Sequence, residues 1–238
     1  MSLTFEDLPY QKQAVQAVVD VFAGQPKLRA DAHVFTDIYP NQCDLNINHI
    51  HGNLLKVFAA YGVPQHAQAL EVLPNRHLDL CIEMETGTGK TLVYWQTICA
   101  LYQTYGFSKF IILVPSIAIR AGVLATYQSF CSALQTRYSV VPDCVEYDSA
   151  KMDRVHRFVT SAQPQVLVMT LQSFTSDAHI INQAGRDKSF RGMSYFDALA
   201  QCRPIIIMDE PQEGMDTDNA SGRLAQLNAI AKIGRAHV

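Results

Sequence analysis

Four short runs constrain the fold of this chain more than any other feature: LDLCIEM (78–84), KFIILV (109–114), VLVMT (166–170) and IIIM (205–208). They are near-continuous apolar segments, not the hydrophobic–polar alternation of a strand with one face in water. Such strands belong to sheets covered by helices on both faces. The segments between them have helical length and period. In Lys90–Tyr105, Leu92, Trp95, Ile98, Leu101, Tyr102 and Tyr105 fall near one face. Ser116–Phe130 reads as mostly helix, Ser139–Tyr147 as holding a short strand, and Lys151–Thr160 as a helix. Strands joined by helix-length crossovers imply an α/β fold with a parallel, doubly wound sheet. In such sheets ligands sit beyond the carboxyl ends of the strands.

The N-terminal part is less regular. PYQKQAVQAVVDVFAG predicts a helix, with Ala14, Val15, Val18, Val19 and Phe22 on one face and Gly24 as its stop. Residues 25–75 read as an insertion or lid, with a helix over Leu54–Tyr61. The expected division is therefore 1–24 as an N-terminal helix, 25–75 as the insertion and 76–231 as the core domain. Composition narrows the class. With 48% hydrophobic and 17% charged residues, the chain is globular. A net charge of −3 supplies no overall basic field, so nucleic acid would be bound through local sites. The six cysteines form no CxxC pair and several lie in apolar runs, which suits a reducing cytosol. The opening MSLTFEDLPYQ has no signal-peptide character, and no apolar run is long enough to span a membrane. A cytoplasmic location is expected.

The sharpest motif is ETGTGKT (85–91), which follows the first strand and opens a helix. The loop Thr86, Gly87, Thr88, Gly89 lets backbone N–H groups approach a phosphate, and the helix N-terminus adds unpaired donors and a positive dipole end. Lys90 would reach the terminal phosphates of ATP, and the Thr91 hydroxyl would ligate Mg²⁺. The strict pattern G-x4-G-K-[ST] asks for glycine where this chain has Met84. The structural alternative is a glycine turn that merely caps a helix. A second candidate ends the IIIM run: Asp209-Glu210. A strand-terminal acid beside a phosphate loop is where the metal-holding aspartate of P-loop ATPases sits. Asp209 would hold the metal, and Glu210 would orient and activate the attacking water. Standing alone, the pair would read equally well as an acidic turn before Pro211.

Together these residues resemble a family. Asp209-Glu210-Pro211-Gln212 is similar to the DExH box of superfamily 2 helicases. LDLCIEMETGTGKTLVYWQTI, YGFSKFIILVPSIAIRAGV and VLVMTLQSF resemble the ATPase region of the Res subunit of type III restriction enzymes, where methionine in the place of the first glycine is usual. The resemblance runs from Phe5 to about Ile230 and is weakest over 25–75. It implies a RecA-like P-loop domain and an ATP-driven translocase on double-stranded DNA, partnered by a modification methyltransferase subunit. In LPYQKQAV it places Gln11 against the adenine. It places Pro115, Ser116 and Arg120, and likewise Thr170, Gln172 and Ser173, against the DNA backbone. Hydroxyls and amides at strand ends suit phosphate contacts that read no bases; each of these positions equally suits a plain cap or turn. Another superfamily 2 helicase, such as a type I restriction motor or a repair helicase, and a non-hydrolysing nucleotide- or DNA-binding module are the competing readings.

Other features carry less. His49 and His51 near Cys43 have no common zinc-site spacing. Arg186, Lys188 and Arg191 around Phe190 read as a solvated basic loop. In the family the chain continues past the acidic box to a Ser-Ala-Thr motif, a second RecA-like domain with an arginine finger, and a nuclease domain. The ending KIGRAHV (232–238) instead resembles the translation of a sequencing adapter. The expectation is a fragment truncated before the second RecA-like domain, with a non-native tail at 232–238 that takes no part in the fold.

Overall fold

A computed structural model describes residues 8–28, 37–63, 78–85, 87–175, 178–208 and 218–236. In chain order the elements are α1 (Pro9–Val21), α2 (Ile47–Tyr61), β1 (Leu78–Glu83), α3 (Lys90–Tyr105), β2 (Lys109–Val114), α4 (Ile117–Tyr138) and β3 (Asp143–Glu146). They continue with α5 (Asp153–Thr160), β4 (Gln165–Thr170), α6 (Gln172–Thr175), α7 (Tyr195–Gln201), β5 (Ile205–Met208), α8 (Asp218–Gln226) and β6 (Ala231–Ala236). The strands form one six-stranded sheet in the order β1-β6-β5-β2-β4-β3. Every pairing is parallel. The expected α/β class, with a parallel doubly wound sheet, is what the chain adopts.

The layering follows from the handedness of parallel crossovers. From β1 through β2 to β3 the chain travels one way along the sheet; from β3 back through β4 and β5 to β6 it travels the other way. Right-handed connections then put α3 and α4 on one face and α5, α7 and α8 on the other. Two cores result. Phe110, Ile112, Val114, Val166, Val168, Ile205 and Ile207 face α1, α3 and α4, including Val18, Trp95, Ile98 and Leu134. The intervening residues Ile111, Leu113, Leu167, Met169 and Ile206 face Val155, Phe158, Leu199 and Leu224. Residues one apart on a strand thus serve opposite cores, as the two-residue period requires.

Several expectations change in detail. β2 and β4 are buried along their whole length, but β1 and β3 are the sheet edges, and β1 alternates half-buried and exposed. α3 does not present one apolar stripe. It lies between α1, α4 and the sheet, so Tyr94, Gln96, Thr97 and Cys99 are buried as well. α2 begins well before Leu54, because the Asn46 side chain accepts the His49 N–H at 3.0 Å and caps it. α4 runs on to Tyr138 and stops where Ser139 turns left-handed at φ 54°.

The segment read as an insertion, 25–75, is described at 25–28 and 37–63, and those residues pack onto the domain. α2 lies on α1. Asn41 is completely buried beneath the start of β2. Its Nδ2 donates to the carbonyls of Lys109 (2.8 Å) and Arg203 (3.2 Å), and its Oδ1 accepts the N–H groups of Ser108 (2.7 Å) and Lys109 (3.0 Å). The stretch expected as a tail also has a place in the sheet. Residues 231–236 form β6, which lies between β1 and β5 and pairs with both. Ala231 and Ile233 are buried there, and Lys232 meets Asp79 of β1 at 3.4 Å. Only 237–238 of the expected tail lie outside the described residues.

Candidate functional site

The glycine loop joins β1 to α3 at the carboxyl rim of the sheet. Gly87 and Gly89 have φ of 81° and 82°, a left-handed conformation that glycine adopts at no steric cost. Gly89 occupies the N-cap position of α3, which has no side-chain cap and no acid in its first turn. That helix end therefore keeps the donors and positive potential that favour an anion. Between the glycines, the Thr88 hydroxyl donates to the Glu85 carbonyl at 2.6 Å, closing the turn. Thr86 lies outside the described residues. Lys90 is buried, at 8% exposure, and Thr91 is half-buried beside it.

The structure brings Gln11 to this loop. Its Nε2 donates to the Thr88 carbonyl at 2.8 Å, and the neighbouring Tyr10 hydroxyl donates to the same oxygen at 3.1 Å. A Cβ built on Gly89 would lie 2.6 Å from Gln11 Nε2, so a side chain there would push the Gln11 amide off the loop. At Gly87 a Cβ would meet nothing within 4 Å. The loop is thus closed on the α1 side and open on the other. This cradle of glycine backbone and an uncapped helix end fits a phosphate group.

Asp209 and Glu210 lie outside the described residues. The strand that leads to them is described: Met208, the last residue of β5, is in register with Gly234 of β6, which is in register with Cys81 of β1. Parallel pairing puts the carboxyl ends of β1 and β5 on one rim. The chain leaves β1 for one face through α3, whereas α8, which follows β5, packs on the other. This divergence opens the crevice in which such sheets take ligands.

The other predicted positions also gather on this rim. Val114 and Thr170 are in register at the ends of β2 and β4, so Pro115 and Ser116 stand beside Thr170, Gln172 and Ser173. Ser116 Oγ accepts the Ile119 N–H at 3.3 Å and caps α4. The Thr170 and Ser173 hydroxyls are 2.8 Å apart, and Gln172 is exposed. Arg120 lies in the first turn of α4. Its Nη2 pairs with Glu146 Oε1 at 2.8 Å, its Nη1 donates to the Tyr147 carbonyl at 3.1 Å, and its side chain is only 16% exposed. It joins α4 to the end of β3. Nothing local in the sequence signals that pairing, and Tyr10 was equally unmarked except as the neighbour of Gln11. Arg186 of the basic loop is bonded to Gln183 Oε1 at 2.9 Å.

A RecA-like α/β domain with a glycine loop at the β1–α3 junction is the class that fold and site define. The family model described as "Type III restriction enzyme, res subunit" matches residues 4–231. The chain is 33% identical over 223 residues to the type III restriction-modification enzyme EcoP15I Res subunit of Escherichia coli, covering 87% of this chain and 23% of that protein. It is 31% identical over 239 residues to the StyLTI Res subunit of Salmonella typhimurium, covering 89% and 20%. It is 26% identical over 228 residues to the EcoPI Res subunit of Escherichia phage P1, covering 88% and 23%. The chain belongs to the type III restriction enzyme Res-subunit family and corresponds to its helicase-like region. It spans between a fifth and a quarter of the length of these relatives. Among the described residues, no helix is long and apolar enough to cross a membrane.

Proposed function

We propose that this chain is the ATP-binding part of a DNA-translocating motor within a restriction endonuclease subunit. The observation that carries the reading is the Gly87–Lys90 loop at an uncapped helix end, at the same sheet rim as the strand preceding Asp209-Glu210. In this reading the amides of 87–91 and the Lys90 ammonium bind the terminal phosphates. Gln11 contacts the adenine while bonded to the loop. Thr91 and Asp209 hold a Mg²⁺ ion, and Glu210 orients the attacking water. The bound ion would neutralise charge developing on the phosphates. Pro115, Ser116, Thr170, Gln172 and Ser173 follow adjacent strand ends and make sequence-independent contacts to double-stranded DNA. Arg120, in the first turn of α4 and paired with Glu146, borders that surface. The relatives are named as subunits of restriction-modification enzymes; a modification methyltransferase subunit is the proposed partner, and it would supply sequence recognition.

Stabilisation of the transferring phosphoryl group by an arginine from outside the phosphate loop is worth about 10³–10⁵-fold in rate. A second RecA-like domain would supply that arginine in a complete motor. The isolated chain should therefore bind Mg–ATP weakly, hydrolyse it slowly and not translocate. The test combines a fluorescent ATP titration, with and without Mg²⁺, with steady-state hydrolysis with and without duplex DNA. Binding should depend on Mg²⁺ and be lost in Lys90→Ala. Wild-type affinity in Lys90→Ala would remove the nucleotide reading. Fast DNA-stimulated turnover by this chain alone would remove the need for a second domain, and Mg²⁺-dependent binding with no turnover even in a full-length subunit would leave a non-hydrolysing module.

A further inference from the structure

We propose that Tyr10 is a positioning residue for the phosphate loop: its hydroxyl fixes the Thr88–Gly89 peptide so that the Gly89 N–H faces the nucleotide side. This rests on the nucleotide reading above and names a part of the site that the reading lacks. The Thr88 carbonyl accepts two hydrogen bonds from one helix end, from Tyr10 Oη at 3.1 Å and from Gln11 Nε2 at 2.8 Å. A carbonyl oxygen has two lone pairs and can take both. In a planar trans peptide the C=O and the following N–H point in opposite directions. Drawing the Thr88 carbonyl toward α1 therefore turns the Gly89 N–H away from α1, toward the open side of the loop.

The peptide needs such a tether. The peptide turns about the Thr88 ψ and the Gly89 φ, and glycine backbone resists rotation least. An unrestrained Thr88–Gly89 peptide would present its carbonyl to the phosphates in part of the population, where an oxygen repels an anion. Gln11 is the inner tether, buried at 6% exposure, and carries the proposed adenine contact. Tyr10 is the outer one, a residue 42% exposed. Pro9 begins α1 immediately before it and fixes the backbone from which the ring projects. An exposed aromatic next to a nucleotide loop invites a base-stacking role. The observed contact is different, because it uses the hydroxyl and not the ring face.

Tyr10→Phe separates the two, since it removes only the hydroxyl. One neutral hydrogen bond corresponds to a change of about two- to tenfold. In the purified chain without nucleotide, Tyr10→Phe should leave the melting temperature unchanged. In titrations with a fluorescent ATP analogue and Mg²⁺, Tyr10→Phe should weaken binding by a similar factor, while competition by adenosine alone stays as in wild type. Wild-type Mg–ATP affinity in Tyr10→Phe overturns the proposal. So does a loss that appears only in Tyr10→Ala and extends to adenosine, which is the signature of stacking. Wild-type Mg–ATP affinity in Lys90→Ala is a different failure: it overturns the nucleotide reading itself, and the phosphate-facing role with it.

Discussion

Replacing Asn41 by alanine should destabilise the domain by about 3–5 kcal/mol, although the residue lies in a segment with no regular structure. The magnitude follows from its partners. The side chain is completely buried, and its amide satisfies the N–H groups of Ser108 and Lys109 and the carbonyls of Lys109 and Arg203. Alanine leaves all of these without that partner at the amino ends of β2 and β5, beneath the core. A buried polar group that loses its partner costs about 1–3 kcal/mol. The total falls below a simple sum because neighbouring losses are not additive and a water entering the vacated space would recover part. With a urea dependence of about 2 kcal/mol per molar, the unfolding midpoint should drop by about 2 M. Asn41→Asp should fare little better, since a carboxylate would face the carbonyls of Lys109 and Arg203. The assay is urea denaturation followed by circular dichroism. A midpoint shift below about 0.5 M with an unchanged slope would refute the inference that this segment is part of the core.

Two further outcomes follow from the buried framework. Burial pushes the Lys109 ammonium down to about 8, while its Nζ donates to the Phe158 carbonyl at 2.6 Å and to that of Ser161. The unfolded chain holds this proton more tightly, so the penalty is full below about pH 8 and fades as pH rises toward 10.5, with a ceiling of about 3 kcal/mol that the two carbonyls reduce. Lys109→Met should abolish this rise of stability between pH 8 and 10.5 in a melting series; the same slope in the variant would refute it. Ending the chain after Ile230 removes β6 and should lower both the melting temperature and Mg–ATP affinity. Equal values for the two lengths would show that β6 holds neither the sheet nor the loop.

What the sequence revealed and what it hid divide along a physical line. β2, β4 and β5 were legible because strands buried on both faces need unbroken apolar side chains, and KFIILV, VLVMT and IIIM supply them. The phosphate loop was legible because its parts are contiguous: an apolar run, two glycines that need left-handed φ, then Lys90-Thr91 at a helix start. Contacts between distant segments left no such trace. Asn41 under β2, Arg120 against Glu146, and Tyr10 and Gln11 on the Thr88 carbonyl join positions far apart along the chain, and no local pattern marks the pairing. α2 was half hidden because His49, Gly52 and Asn53 interrupt its apolar period. Asn53 is nevertheless buried, donating to the carbonyls of Val21 and Ala23 at the end of α1.

β6 shows how composition and position can disagree. AKIGRA contains two cations and a glycine, so it carries little of the signal of a strand in the interior of a sheet. Its place comes from its neighbours. β1 is an edge strand whose one strand partner among the described residues is β6, and β1 carries the phosphate loop. Without a strand in that slot, β1 would have no ladder to the rest of the sheet, and Leu80 and Ile82 would lose the wall they pack against. Lys232 is tolerated because it reaches the edge strand and meets Asp79 there. The same slot sets the geometry of the proposed site. With one strand between them, the carboxyl ends of β1 and β5 stand two strand spacings apart, about 10 Å. That separation governs whether the loop at 87–91 and the residues after Met208 can act on a single ligand. A slip of one residue in the β6 register would move β1 and its loop along the sheet relative to β5 by about 3.3 Å. It would also turn Ile233 out of its core, which is the force that fixes the register.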